Sequence, residues 1–231
     1  MERLPSGIPG LDEMIEGGFK KNSNILVTGG VGVGKSTFSM QYVCAGARMG
    51  ERGIYVTFEE DVNGLKESMG RYGWNIDELE VKQLLTILRI SPKDVLHLIE
   101  SGYGGIMNAI QSTNAKRVVI DSVSSIELMI KDEYKKREDI LSFLSWLRKN
   151  NCTTLLISES EQYPSAYSRS GIIEFSVDGV IVLYNIRRQS VRQRALEVLK
   201  MRGTNHMNRV VPFVISNGIE LLPKQKIFGD F

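Results

Sequence analysis

Gly29-Gly30-Val31-Gly32-Val33-Gly34-Lys35-Ser36 matches the pattern G-x-x-x-x-G-K-[ST] in full, and its surroundings decide the fold. The apolar run Ile25-Leu26-Val27-Thr28 before it reads as a short strand. Lys35 to about Met49 reads as a helix, with Gly50 and Gly53 flanking the turn beyond. Glycines between strand and helix let the backbone wrap a phosphate closely, so several N–H groups aim at one point and the helix N-terminus adds positive charge. A glycine-rich turn that binds nothing leaves Lys35 and the hydroxyl after it unexplained. The pattern predicts ATP held by Gly30, Val31, Gly32, Val33 and Gly34, with Lys35 on the β- and γ-phosphates. Ser36 is placed on Mg²⁺ and Thr37 near the α-phosphate.

Working outward, Ile54–Phe58 is a second strand that delivers Glu59-Glu60 at its C-terminal end. A helix through Leu65 and Met69 follows, then Tyr72-Gly73-Trp74 and a strand over Leu84–Ile90. Ser91-Pro92 begins a helical stretch interrupted by Gly102, Gly104 and Gly105. Val118-Val119-Ile120 is a run buried on both faces that ends in Asp121. Ile140, Leu144 and Leu147 mark one side of a helix, and Thr153–Ile157 is a further buried strand. Strands alternating with helices imply βαβ crossovers and a parallel sheet.

After Ser170 the pattern changes to Val180–Leu183, Ala195–Met201, Val210–Ile215 and Ile219–Leu222, strands with no helices between them. Asn217-Gly218 is a two-residue hairpin signal between the last two. The expected architecture is one α/β domain over residues 1–231, a mostly parallel P-loop core with an antiparallel C-terminal β extension.

Two readings fit each acidic candidate. Asp121 ends a strand where P-loop proteins keep a carboxylate that holds Mg²⁺ through water, or it caps the following helix; the loop upstream favours the metal. Glu59 and Glu60 either orient and deprotonate an attacking water or serve as acids at a helix N-terminus, and position alone does not decide. Lys200-Met201-Arg202-Gly203-Thr204-Asn205-His206 leaves a strand into a glycine turn. Its cations either neutralise a transferring phosphoryl group or end a solvated hairpin.

Composition narrows the partners. With 29 basic and 27 acidic residues the net charge is +2, which gives no global pull toward nucleic acid or anionic membrane. Arg187, Arg188, Arg192 and Arg194 form a local basic cluster, but no stacking aromatics interleave with them. A solvated hairpin or subunit contact is the preferred reading over single-stranded DNA. The two cysteines, Cys44 and Cys152, lie far apart and read as buried apolar residues. The longest apolar runs are about five residues, far short of the ~20 that span a bilayer, so a cytoplasmic location without a membrane partner is expected.

Taken together, Ser6–Asp12 with Gly17-Gly18, the loop Gly29–Ser36, Tyr55–Glu60, Tyr72-Gly73-Trp74, Arg117–Asp121 and Leu199–His206 resemble the KaiC-like branch of the RecA-type ATPases, in order and spacing over nearly the whole chain. The resemblance implies a RecA-like core and ATP-dependent assembly into a homo-oligomeric ring, a hexamer, with ATP at subunit interfaces. It implies Glu59 and Glu60 as the water-activating pair beside Lys35. It also puts Lys200, Met201, Arg202, Thr204 and His206 against the neighbouring subunit's ATP, and Arg71 close to the nucleotide. An unidentified protein partner would receive the signal. Two departures stand out. KaiC has tandem ATPase domains where this chain has one, and Glu174 and Phe175 occupy the positions of its phosphorylated Ser-Thr pair.

Overall fold

The apolar strand runs lie side by side in one nine-stranded sheet in the computed structural model, which describes residues 2–91, 94, 101–161 and 166–228. In chain order the strands are β1 (Arg3–Leu4), β2 (Phe19–Lys20), β3 (Asn24–Gly29), β4 (Gly53–Thr57), β5 (Leu85–Arg89), β6 (Arg117–Asp121), β7 (Thr153–Glu159), β8 (Gly179–Arg188), β9 (Val191–Met201), β10 (Val211–Ile215) and β11 (Ile219–Leu221). The helices are α1 (Leu11–Met14), α2 (Lys35–Arg48), α3 (Val62–Gly70), α4 (Ile76–Val81), α5 (Gly104–Thr113), α6 (Val123–Met129), α7 (Glu133–Lys149) and α8 (Ile173–Ser176).

The sheet order is β11-β10-β9-β8-β3-β7-β6-β4-β5. Strands β8, β3, β7, β6, β4 and β5 run parallel, while β9, β10 and β11 continue antiparallel beyond β8. This is the expected α/β architecture with its C-terminal extension.

Every residue of β3 and of β4 is buried, because helices cover both faces of the sheet. Alternate side chains of a strand serve different cores. Ile25, Val27 and Tyr55 pack with Phe38 and Tyr42 of α2, whereas Leu26, Ile54 and Val56 pack with Ile106 of α5 and Ile140 and Leu147 of α7. Each such side chain contributes about 1.5–3 kcal/mol of burial energy, which pins the register of the strands and so the level at which their C-terminal ends stop.

The structure departs from expectation in three places. Gly104 and Gly105 open α5 rather than interrupting a helix, and Pro92 lies outside the described residues. The turn at Asn217-Gly218 is a three-residue loop, because Ile215 pairs with Ile219. The strands β1 and β2, two residues each, are too short for a period-2 signal. Both cysteines are free and buried, and burial pushes the Cys44 thiol up to about 12. No helix among the described residues is long and apolar enough to cross a membrane.

Candidate active site

The loop between β3 and α2 is fixed by its glycines. A Cβ on Gly29 would stand 2.2 Å from the carbonyl oxygen of Leu183 on β8, so the strand end can press against its neighbour only as glycine. Gly34 takes φ 102 at the N-cap of α2 and offers no side-chain cap, which leaves the first N–H groups of a 14-residue helix for whatever the loop holds. Val33 is buried and anchors the loop, while Val31 stands 96% exposed at its tip. Lys35 Nζ donates to the carbonyl oxygens of Gly29 and Gly30, both at 2.9 Å. Burial lowers its pKa, and the charges of Glu159, Asp121 and Glu59 oppose that shift.

Those carboxylates arrive from the C-terminal ends of adjacent strands. Thr57 pairs with Asp121, and Gly29 with Glu159, while Asp121 pairs with Ile157, so β4 and β6 end together and β3 and β7 run two residues further. Lys35, Ser36, Glu59, Glu60 and Asp121 line one cleft of about 800 Å³ there. Ligands of open α/β sheets sit beyond these strand ends.

Local hydrogen bonds show what the acidic candidates engage. Asp61, not Glu59 or Glu60, caps α3, accepting from the N–H groups of Asn63 at 3.0 Å and Gly64 at 3.1 Å. Glu59 Oε1 accepts from Ser125 Oγ at 2.9 Å. Among the described residues the Glu60 carboxylate has only a long contact to Ser68 Oγ at 3.5 Å, and burial together with Asp121 pushes its pKa up. Ser122 stands at the N-cap of α6, and the Asp121 carboxylate accepts from the Tyr55 hydroxyl, with Ser36 on the same cleft wall. Burial raises the Asp121 pKa against the hydroxyls of Tyr55 and Ser36 and the charge of Lys35.

A hydroxyl and a carboxylate on one cleft wall are hard oxygen donors of the kind Mg²⁺ takes. Ser122 Oγ, buried on the cleft wall with them, has no hydrogen-bond partner among the described residues. The residues present fit the metal.

A second space of about 320 Å³ lies on the other side of the loop, between Gly34, Lys35, Thr37, Arg71, Tyr72 and Arg194. Arg71 is held over the Tyr72 ring, 4.8 Å from its centroid, and Tyr72 stacks on Trp74 at 4.7 Å. Sequence grouped Arg194 with the basic cluster, and Arg187 and Arg192 do pair across β8 and β9. Arg187 also bonds to the carbonyl of Gln189, Arg188 lies over Phe228, and Arg194, two residues from Arg192, borders the loop. The signal that could have found it is register: Arg194 pairs with Asn185, two residues beyond Leu183, which pairs with Gly29.

The family described as "ATPase: KaiC" matches residues 4–226. The chain belongs to the KaiC ATPase family. A UPF0273 protein of Thermotoga maritima is 35% identical over 97% of this chain and 98% of its own length. The circadian clock protein KaiC3 of Synechocystis is 32% identical over 98% of this chain but 47% of its own, so the chain spans about half the length of the KaiC clock proteins it matches. The crystal structure of a KaiC-like protein from Pyrococcus horikoshii superposes with a TM-score of 0.85 at 38% identity, covering 96% of this chain and 99% of that one.

In this KaiC-family chain the segment Lys200–His206 is not at its own loop. Met201 pairs with Gly179, which pairs with Ile25, so the segment lies roughly four residues, about 13 Å, back along the strands from Gly29. Lys200 Nζ donates to the carbonyl oxygens of Glu174 at 2.9 Å and Val177 at 2.8 Å, and Arg202 donates to that of Phe175 at 2.9 Å. Thr204 Oγ1 accepts from Arg3, and His206 Nδ1 lies 3.4 Å from the Met207 carbonyl. Met201 is buried against Gly179, its side chain turned into its own core. Glu174 is buried and accepts from Tyr167 N and Ser168 Oγ, while Phe175 is 71% exposed.

Proposed function

We propose that this KaiC-family chain binds Mg-ATP in the cleft at the end of β3 and hydrolyses it to ADP and phosphate. It works as a cytoplasmic ring of copies, a hexamer, that signals to a protein partner. The observation that carries the reading is the convergence of Lys35, Ser36, Glu59, Glu60 and Asp121 on one cleft, while Lys200 and Arg202 stand at the far end of the strands.

The loop N–H groups of Gly30–Gly34 bind the phosphates, and Lys35 exchanges its two carbonyl partners for β- and γ-phosphate oxygens. Thr37 reaches the α-phosphate, with Arg71 beyond it. Ser36 and, through water, Asp121 would hold Mg²⁺, which neutralises charge building on the bridging oxygens. Glu59 and Glu60 orient the attacking water and take its proton, and a carboxylate whose pKa is raised is the better base.

Cations too far from their own cleft can serve another. Lys200 and Arg202 reach the ATP of the neighbouring subunit, with Thr204 and His206 on the same turn and Met201 as the buried root of the segment. Hydrolysis then depends on assembly.

The test is steady-state Mg-ATPase activity alongside native mass with and without Mg-ATP. ATP should stabilise the wild type by on the order of 3 kcal/mol at a hundredfold excess over Kd, and Lys35→Ala should remove that shift. A retained shift in Lys35→Ala contradicts the loop assignment. Binding without turnover would leave a nucleotide-dependent scaffold.

A further inference from the structure

The cleft is acidic for a site that is to hold a polyphosphate. Glu59, Glu60, Asp121, Glu159 and Glu161 face it, against Lys35 and Arg169 as the cations among the described lining residues. Lys35 belongs to the loop motif. Arg169 belongs to no motif, and it enters from the segment between β7 and β8, across the cleft from the loop.

The backbone around Arg169 is pinned from both sides. Glu127 of α6, only 2% exposed, accepts from the N–H of Ser170 at 3.1 Å and from its hydroxyl. Glu174, 8% exposed, accepts from the N–H of Tyr167 at 2.9 Å and from the Ser168 hydroxyl. The same two hydroxyls also accept from Ile172 N and Ile173 N, both at 3.3 Å, which ties the segment into the start of α8. Burying two carboxylates is costly, and here both are spent on the residues that flank position 169. The Arg169 side chain itself is exposed and makes no ion pair among the described residues. What the clamp fixes is where that guanidinium starts.

We propose that Arg169 is a second cation for the terminal phosphate of the nucleotide in its own subunit's cleft, aimed there by the Glu127–Ser170 and Glu174–Ser168 clamp. The inference rests on the phosphate-site reading above. A planar guanidinium with fixed donors suits phosphoryl oxygens, and it offsets the surrounding carboxylates where ATP carries charge that ADP lacks. Arg169 therefore sets preference for ATP over ADP. Ser168 and Ser170 are positioning residues for it.

The test compares affinities for ADP and the non-hydrolysable analogue AMP-PNP in the intact protein by fluorescence competition. Arg169→Ala should lower the AMP-PNP preference about tenfold or more and leave ADP affinity unchanged, since a hydrogen bond to a charged group is at stake. Ser170→Ala should shift the preference in the same direction, and Ser170→Thr, which keeps the hydroxyl, should restore it. A wild-type protein that binds both nucleotides, with a preference unmoved by Arg169→Ala, overturns this proposal alone. Wild-type protein that binds neither nucleotide overturns the phosphate-site reading, and the proposal with it.

Discussion

Gly46→Ala should destabilise the chain although alanine is the better helix former. Gly46 lies in the last turns of α2, where the exchange would ordinarily add about 1 kcal/mol. A Cβ there would meet Arg117 Cδ and Nε at 2.2 Å. The arginine cannot swing aside. It is fully buried, its Nε donates to Glu51 at 2.7 Å, its NH1 donates to the Tyr42 carbonyl at 3.0 Å, and its guanidinium lies 4.7 Å from the Tyr42 ring centroid. Breaking a buried pair costs about 3–5 kcal/mol, toward the low end here because Glu51 is partly exposed. The net loss is about 2 kcal/mol, or roughly 4–8 °C in Tm for a domain of this size. Urea unfolding followed by circular dichroism measures it, and in an Arg117→Ala background the same exchange should turn neutral or stabilising. A Gly46→Ala protein about 1 kcal/mol more stable than wild type would refute the packing argument.

Glu59→Gln with Glu60→Gln should keep ATP binding and lose phosphate release by ~10²- to 10⁴-fold; wild-type turnover would leave both as bystanders. Because burial and Asp121 raise the Glu60 pKa, its base form fills only above the ordinary glutamate value of about 4.3, so the acid limb of kcat/KM should lie above that value and disappear in Glu60→Gln. Glu127 is also raised, mainly by burial, so its contribution to stability is greatest below the unfolded glutamate pKa and is lost as pH rises through the folded one. Wild type should therefore lose stability relative to Glu127→Gln as pH climbs from the glutamate range, and parallel urea-midpoint profiles for the two would contradict this.

The parallel core was legible because β3, β4, β6 and β7 are continuous apolar runs that stop at a glycine, a carboxylate or a hydroxyl, a pattern set by burial on both faces. The loop was legible because its chemistry is local. What sequence could not give depends on partners far along the chain. Arg117 reads as the polar first residue of a strand, yet it is the largest fully buried side chain among the described residues, held by Glu51 and the Tyr42 carbonyl. Glu174 reads as a substitution at a family position, yet its carboxylate holds Tyr167 and Ser168. Gly104 and Gly105 read as breaks because propensity disfavours glycine in helices, and tertiary burial of Ile106 and Ile110 overrides it.

ATP shared between subunits is the central claim, and mixing two inactive proteins tests it most directly. Arg202→Ala should bind ATP and hydrolyse it poorly, as should the Glu59→Gln/Glu60→Gln double variant, whose Arg202 is intact. Subunit exchange is verified first by mass or fluorescence. Random mixing makes about a quarter of interfaces pair intact glutamates with an intact arginine, so activity should recover toward that fraction of wild type. Exchange without recovery, with each variant alone inactive, would mean that Arg202 acts within its own chain or only on its structure.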